Sequence, residues 1–266
     1  MMCVKCSVCG KAFNNCSTNK TICHDCLIKN QTSQSKLSVF ADKVDALPDM
    51  TPMNFNISYP TKLLIIRHGE SLGNATRSFL GHTDLDLSER GFLQAQRTAE
   101  YLEREQIDVV YSSSLIRAYN TALPHAKIRG LEVIKSDELK EIYAGAWEGL
   151  KVDEIIEKYG EKFTVDWRLN FGTFSSVPSM ESVPSLAVRI LNEMQRIAKE
   201  NLNKTILVAS HAAAIRSFFG KISEIPADEL CARLPFPTNA SVTVVYFDGE
   251  RLIPGEYSHD SHLVDI

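Results

Sequence analysis

LLIIRHGE, residues Leu63–Glu70, is the stretch of sequence that indicates the fold class most directly. Its first four residues are apolar and partly β-branched, a pattern typical of a strand buried on both faces. An arginine and a histidine follow the strand at once. Because open α/β sheets bind ligands beyond the carboxyl ends of their strands, we expect Arg67 and His68 to lie where such a fold places its chemistry.

Strand and helix patterns alternate from residue 62 to the end of the chain. Further strands are predicted at residues 108–112, 132–135 and 205–210, and a hairpin turn at Asp248-Gly249. The predicted helices run from Ser88 to about Glu105, over Leu115–Ala126, through residues 183–198, and onward from near Ala212. On the first of these helices, Phe92, Ala95, Ala99 and Leu102 are expected on one buried face. The pattern predicts a three-layer α/β/α fold with a mostly parallel central sheet and a late antiparallel element.

The cysteines divide the 266-residue chain into regions of different character. Six of its seven cysteines fall within the first 26 residues. Residues 1–30 are therefore predicted to form a Cys-rich zinc module, since they have too few large apolar groups for a core. Residues 31–59 are predicted to be a linker, and residues 60–266 a single catalytic domain.

Charge and hydropathy narrow the classes of function. A formal net charge of −4 argues against a general nucleic-acid binder, which usually carries a basic stripe. No apolar run approaches the length that spans a bilayer, so no membrane partner is expected. The N-terminus lacks the pattern of a secretory signal, and we expect a cytoplasmic location.

Three predicted strand ends carry polar groups that can meet at one edge of the sheet. The first provides Arg67 and His68, the second leads into a helix whose first turn holds Arg117, and a third ends at His211. Asn74 follows His68 by six residues and could donate another hydrogen bond. Arginines, histidines and helix N-termini together are suited to binding a phosphoryl group.

Several ordered motifs make the chain resemble the histidine phosphatase superfamily, in its phosphoglycerate mutase-like branch. The resemblance covers about residues 61–263. The matching segments are Arg67–Ser71 with Asn74, Gly81–Asp84, Ser113–Ala122, Glu138–Gly149, Glu181-Ser182, Ser210-His211 with Arg216, and Asn239.

The resemblance implies a role for each matching residue. His68 would be the nucleophile, Arg67, Asn74, Arg117 and His211 the phosphate pocket, and Glu141 the proton donor, with His68, Glu141 and His211 as the catalytic set. Neighbouring cations are expected to lower the pKa of His68 and keep it available for attack. No cofactor is expected for catalysis, because guanidinium groups can stabilise the developing charge.

Some of these roles have alternatives. Glu138 and Glu148 compete with Glu141 as the acid, and Asn74 could instead cap a turn. The remaining histidines of this domain, His82, His125, His259 and His262, are expected to be loop or surface groups.

The spacing between Glu141 and His211 favours hydrolysis over isomerisation. Mutases of this superfamily carry a longer insertion there than the 70 residues of this chain. We therefore expect a phosphomonoesterase that acts on a small phosphorylated metabolite through a phosphohistidine, with a cofactor-dependent phosphoglycerate mutase as the alternative. Ser179-Met180 and Ala212-Ala213 replace glycines of the family pattern, so the shape of the pocket is not predicted.

The N-terminal cysteines predict a structural zinc ion. Cys6 and Cys9 form one pair and Cys23 and Cys26 another, which is a spacing typical of a four-thiolate site. The competing ligands are Cys3, Cys16 and His24, and disulfides would replace zinc in an oxidising compartment. Such a module could bind a protein partner. An interaction protein with a vestigial phosphatase domain is thus the alternative from another class of function.

Overall fold

The computed structural model describes the backbone of residues 3–5 and 12–14, and then residues 60–174 and 177–266. These residues belong to two units, divided between Pro52 and Met53. In the first unit, strands β1 (Cys3–Lys5) and β2 (Ala12–Asn14) pair antiparallel. The predicted zinc ligands Cys6, Cys9, Cys23 and Cys26 and the predicted linker lie outside the described residues.

A six-stranded sheet forms the centre of the second unit. Its strands are β3 (Thr61–Arg67), β4 (Val109–Ser113), β5 (Val133–Ser136), β6 (Thr205–Ser210), β7 (Val242–Phe247) and β8 (Leu252–Pro254). They lie in the order β5-β4-β6-β3-β7-β8. The first four are parallel and the last two antiparallel, as the alternation of patterns predicted.

Helices of very different length connect these strands. The α-helices are α1 (Leu72–Ala75), α2 (Glu89–Tyr101), α3 (Ile116–Arg129), α4 (Val152–Tyr159), α5 (Glu161–Leu169), α6 (Val183–Glu200), α7 (Ala212–Ile222) and α8 (Leu230–Arg233). Single 3-10 turns occupy Asp137–Leu139, Gly145–Trp147, Phe171–Thr173 and Ser261–Leu263. None of the helices in the described ranges is long and apolar enough to cross a membrane.

Strand β3 shows why the fold has three layers. Leu63 and Ile65 pack into a core cluster with apolar residues of α6 and α7. Leu64 and Ile66 point to the other face, where they pack with alanines of α3. Since successive side chains of a strand face opposite ways, four apolar residues in a row require a helix layer on each side. The three-layer α/β/α prediction is confirmed.

The prediction for the buried face of α2 was wrong at one residue. Ser88 caps this helix as expected, and Ala95 and Ala99 are fully buried, but Phe92 is 46% exposed. Gly91 takes the core-facing place instead. A Cβ on Gly91 would lie 2.0 Å from the carbonyl oxygen of Glu70, so the backbone approaches too closely for a side chain and Phe92 turns outward.

Candidate active site

The pairing of β3 with β6 brings His68 and His211 together. The two strands are parallel neighbours with Arg67 opposite Ser210, so each histidine follows its strand at the same level of the sheet. The His68 amide donates to the Ser210 carbonyl at 3.0 Å, and the two imidazole centroids are 5.2 Å apart. The predicted convergence at the carboxyl edge is therefore present in the structure.

A backbone hydrogen bond fixes the tautomer of His68. Its Nδ1 lies 2.7 Å from the carbonyl oxygen of Gly69. Because a carbonyl can only accept, Nδ1 carries the hydrogen and Nε2 is the nitrogen with a free lone pair. The pKa of His68 lies well below its usual range, first because the ring is buried and then because Arg117 and Arg67 disfavour a second positive charge. Burial, more than the neighbouring cations that the sequence suggested, keeps this ring neutral.

Two guanidinium groups lie close enough to the His68 ring to affect its pKa, and each donates to backbone carbonyl oxygen. Arg67 Nη1 donates to Pro237 at 2.6 Å, while Arg117 donates from Nη1 to Thr83 at 2.9 Å and from Nη2 to Gly81 at 2.7 Å. Burial lowers the pKa of Arg67 to about 10 and also lowers the pKa of Arg117. A guanidinium keeps its proton at neutral pH in proteins, so both groups are cations. Carbonyl partners orient these groups without neutralising their charge.

His211 is fully buried beside His68 and is not among the residues that line the pocket. Its Nε2 lies 2.8 Å from Ser113 Oγ, an oxygen that already accepts from the amide of Leu115. If the Ser113 hydroxyl donates to Nε2, the hydrogen of His211 sits on Nδ1. Burial lowers the pKa of His211 as well, with Arg117 and His68 as the next causes.

Three buried nitrogen atoms at this edge have no hydrogen-bond partner among the described residues. They are Arg67 Nε, Arg117 Nε and His211 Nδ1. Buried polar groups are nearly always paired, so a cluster of unpaired donors indicates a ligand that accepts hydrogen bonds. Because the imidazoles are neutral and the two guanidinium groups are cations, the positive charge of this part of the site complements the negative charge of a phosphoryl group.

Asn74 combines the two roles that the sequence left open. Its Oδ1 accepts from the Ser71 amide at 3.1 Å and from Asn239 Nδ2 at 3.2 Å, and it completes the capping box of α1. The Nδ2 group has no partner among the residues described, and Asn74 lines the pocket. The cap therefore fixes the amide in the orientation that leaves its N–H donors available to a ligand.

The structure distinguishes Glu141 from its acidic rivals. Only Glu141 of the three lines the pocket. Its carboxylate accepts from the amides of Ile142, Ala213 and Ala214 at 2.9, 3.1 and 3.0 Å. The amides of Ala213 and Ala214 belong to the first turn of α7. This helix N-terminus therefore binds the Glu141 carboxylate, whereas the sequence analysis had suggested that helix N-termini would bind the phosphoryl group.

Glu148 supports the phosphate pocket from outside. Its carboxylate accepts from the amides of His82, Thr83 and Ala144 at 2.9, 2.8 and 2.7 Å, and from Thr83 Oγ1 at 2.9 Å. The loop that it holds provides the carbonyls that bind Arg117. Glu148 therefore positions Arg117, a role that sequence reasoning missed.

Arg189 and Glu181 form a second support that the sequence did not reveal. Arg189 Nε and Nη2 donate to the Glu181 carboxylate at 2.9 and 2.7 Å. The same guanidinium donates to the carbonyls of Glu138, Lys140 and Glu141 at 2.7, 3.1 and 3.2 Å. It therefore holds the backbone segment that carries the Glu141 carboxylate. The only available signal was the Glu-Ser pair at Glu181-Ser182.

A pocket of about 250 Å³ adjoins these groups. Besides the residues above, its lining includes Ser78, Phe79, Leu80, Gly81, Ile142, Trp167, Ala212, Ala213 and Phe236. Among the described residues no cluster of histidine, cysteine and acidic side chains could hold a metal ion.

The expectation that the other histidines lie in loops or on the surface was wrong for His125. This residue lies within α3 and is fully buried, and neither of its ring nitrogens has a partner in the described ranges. Burial, with smaller contributions from Arg129 and His262, lowers its pKa to about 3. His125 is thus a neutral core residue.

Comparison with known proteins agrees with this geometry. A phosphoserine phosphatase 1 from Hydrogenobacter thermophilus is 35% identical over 208 residues, which cover 76% of this chain and 94% of that protein. A 2,3-bisphosphoglycerate-dependent phosphoglycerate mutase from Corynebacterium efficiens is 30% identical over 213 residues, covering 70% of this chain and 84% of the mutase. The solved phosphoserine phosphatase of Entamoeba histolytica, in complex with 3-phosphoglyceric acid, matches with a TM-score of 0.65 and 28% identity over 77% of this chain and all of that one. The model of histidine phosphatase superfamily branch 1 matches residues 63–256. The chain therefore belongs to the histidine phosphatase superfamily, branch 1.

Proposed function

We propose that this chain hydrolyses small phosphorylated metabolites through a phosphohistidine formed on Nε2 of His68. The observation that carries the proposal is the neutral, buried imidazole with Nε2 free, surrounded by unpaired guanidinium and imidazole nitrogens. The relatives that are phosphoserine phosphatases support a phosphomonoesterase.

In the first step, the lone pair of His68 Nε2 attacks phosphorus. The bond from phosphorus to the ester oxygen breaks, and the departing alkoxide takes a proton from the Glu141 carboxyl group. Arg67, Arg117 and Asn74, which line the pocket, donate hydrogen bonds to the phosphoryl oxygens as their charge grows, and we propose that the unpaired Nδ1 of His211 joins them once the ligand is bound. A positioned proton donor of this kind contributes about 10²–10⁴-fold in rate.

In the second step, a water molecule replaces the released alcohol. The Glu141 carboxylate takes a proton from this water, whose oxygen attacks phosphorus as the bond to Nε2 breaks. Inorganic phosphate leaves, and both His68 and Glu141 return to their starting forms. The guanidinium groups supply the positive charge throughout, so the proposed mechanism needs no metal cofactor.

A mutase remains the alternative within the enzyme class. Both reactions use the same phosphohistidine, but a mutase must return the phosphoryl group to a second hydroxyl. The shorter connection between Glu141 and His211 supports hydrolysis. The test is to incubate the full chain with 3-phosphoglycerate and, separately, with p-nitrophenyl phosphate, both without bisphosphoglycerate. Release of inorganic phosphate is expected in both, and more slowly from 3-phosphoglycerate. Isomerisation without phosphate release would contradict the proposal.

For the N-terminal region we propose a structural zinc ion on Cys6, Cys9, Cys23 and Cys26, supported by their spacing. Metal analysis of the purified chain should find one zinc per molecule, and none after Cys6→Ser with Cys9→Ser.

We further propose a cytoplasmic location and a protein partner for this module. Phosphate release by the full chain would contradict the alternative of an interaction protein with a vestigial phosphatase domain.

A further inference from the structure

The wall of the pocket beyond the phosphoryl site is aromatic. We infer that this wall selects phosphate esters of aromatic alcohols over esters whose leaving group carries a carboxylate. Phe79, Trp167 and Phe236 line the pocket on this side. The inference rests on the proposed function, because it concerns the alcohol that the same site releases.

Trp167 is the centre of this aromatic wall. Its ring centroid lies 5.0 Å from that of Phe79 in an edge-to-face arrangement and 6.2 Å from that of Phe236 with nearly parallel planes. Phe171 contacts it edge-to-face at 4.9 Å from behind the lining. All three lining rings remain half-buried. Because neighbouring aromatic rings restrain each wall residue, the wall offers a preformed apolar surface.

A buried cation supports the wall without entering the pocket. The Arg216 guanidinium lies 4.1 Å from the centroid of Phe236 and 5.0 Å from that of Phe171. Arg216 is 2% exposed and is not among the lining residues, and its Nε donates to the Leu234 carbonyl at 2.7 Å. It therefore fixes Phe236 through cation–π contact rather than binding the ligand.

The charges that do line the pocket do not suit a second anionic group. Arg67 and Arg117 are the cations of the described lining, and both belong to the phosphoryl site. The other charged group of the described lining is the Glu141 carboxylate. A substrate carboxylate there would lose its water beside aromatic rings and an anion, with no further cation to compensate. An aromatic ring would instead bury apolar surface against Trp167.

The size of the pocket suits one ring. A cavity of about 150 Å³ accommodates benzene. The 250 Å³ available here therefore leaves room for a single ring and its phosphate.

The test compares benzyl phosphate with O-phosphoserine, using the full chain. Both are primary alkyl esters, so their ratio of kcat/KM reports the pocket rather than the chemistry of the leaving group. We expect this ratio to favour benzyl phosphate by about tenfold or more, which corresponds to about 1.4 kcal/mol. Trp167→Ala should reduce the ratio to near one, mainly by lowering kcat/KM for benzyl phosphate. Trp167→Phe, which keeps an aromatic ring, should retain most of the preference.

Phe163→Ala provides the matched control, because Phe163 is an aromatic residue of the same helix, α5, that packs against Tyr159 and does not line the pocket. Its ratio should equal that of the wild type. If Trp167→Ala fails to fold, Phe236→Leu replaces it with the same expected direction. A ratio that favours phosphoserine, or one that Trp167 or Phe236 variants leave unchanged, would overturn the inference while phosphatase activity stood. If His68→Ala retained activity toward both esters, the proposed function itself would be contradicted.

Discussion

Replacing Arg189 should slow formation of the phosphohistidine only for esters whose leaving oxygen needs a proton from Glu141. The Arg189 guanidinium joins the Glu181 carboxylate to three carbonyls of the segment that ends at Glu141. A lysine offers a single ammonium group and cannot span these acceptors. We therefore expect Arg189→Lys to leave the segment free to shift, and to misplace the Glu141 carboxylate relative to the leaving oxygen.

The structure sets the size of the effect. Hydrogen bonds to charged groups contribute about 1.5–3 kcal/mol each, and Arg189 and Glu181 are 19% and 18% exposed. Because a lysine keeps the charge and part of the bonding, we expect the free energy of unfolding to fall by about 2–4 kcal/mol. For benzyl phosphate, kcat/KM, which reports the steps up to release of the alcohol, should fall about 10–100-fold, which is part of the 10²–10⁴-fold that a general acid supplies. For p-nitrophenyl phosphate, whose leaving group departs as a stable anion, the change in kcat/KM should stay within about threefold.

The assay measures both esters with Arg189→Lys, Glu141→Gln and the double variant. If Arg189 acts through Glu141, the double variant should be no slower with benzyl phosphate than Glu141→Gln alone. Arg196→Ala is the matched control, since Arg196 lies on the same helix, α6, and pairs with Glu193 and Glu200 without touching the Glu141 segment. An equal loss of kcat/KM with both esters, or additive losses in the double variant, would refute the positioning role.

Three further predictions concern the rest of the molecule. The pKa of His125 is about 3 in the folded chain and near 6.5 in the unfolded chain, so the free energy of unfolding should fall by up to about 1.4 kcal/mol per pH unit as the pH falls from 6.5 towards 3. Denaturant titrations at several pH values should show a weaker pH dependence of this free energy for His125→Leu. An unchanged pH dependence in the variant would contradict the prediction. Glu148→Gln places an amide N–H₂ group against backbone N–H donors and should loosen the loop that holds Arg117. We expect kcat/KM to fall about tenfold for both benzyl phosphate and p-nitrophenyl phosphate. A loss confined to one ester would contradict this explanation. A chelator should leave phosphate release unchanged, because Arg67 and Arg117 provide the charge; inhibition that added metal reverses would count against the mechanism.

The strands and the residues that follow them could be predicted because their causes are local. A continuous apolar run indicates a strand that is covered on both faces. Parallel strands place their carboxyl ends at the same edge of the sheet, independently of the sequence of the loops. His68 and His211 could therefore be placed at one edge from their positions after β3 and β6. The largely apolar run at residues 205–210 correctly predicted the bounds of β6.

Contacts between distant segments were beyond the reach of pattern reasoning. Three glutamates between residues 138 and 148 look alike in sequence, and only the packing of α7 shows that Glu141 meets the amides of Ala213 and Ala214. Gly91 likewise faces the core because the backbone of Glu70 passes close to it. The periodicity of apolar residues in a helix carries no information about such a contact. The apolar stripe of α6 located the helix but gave no indication that Arg189, on its polar side, holds the segment of Glu141.

The most direct measurement is to trap the covalent intermediate. The full chain would be mixed with ³²P-labelled benzyl phosphate, quenched in alkali within milliseconds, and analysed for the labelled residue and the labelled nitrogen. Because Nδ1 of His68 is bound to the Gly69 carbonyl, the account predicts an alkali-stable, acid-labile phosphohistidine linked through Nε2 of His68, and no label in His68→Ala. An alkali-labile adduct on a carboxylate, a label on Nδ1, or turnover by His68→Ala would contradict it.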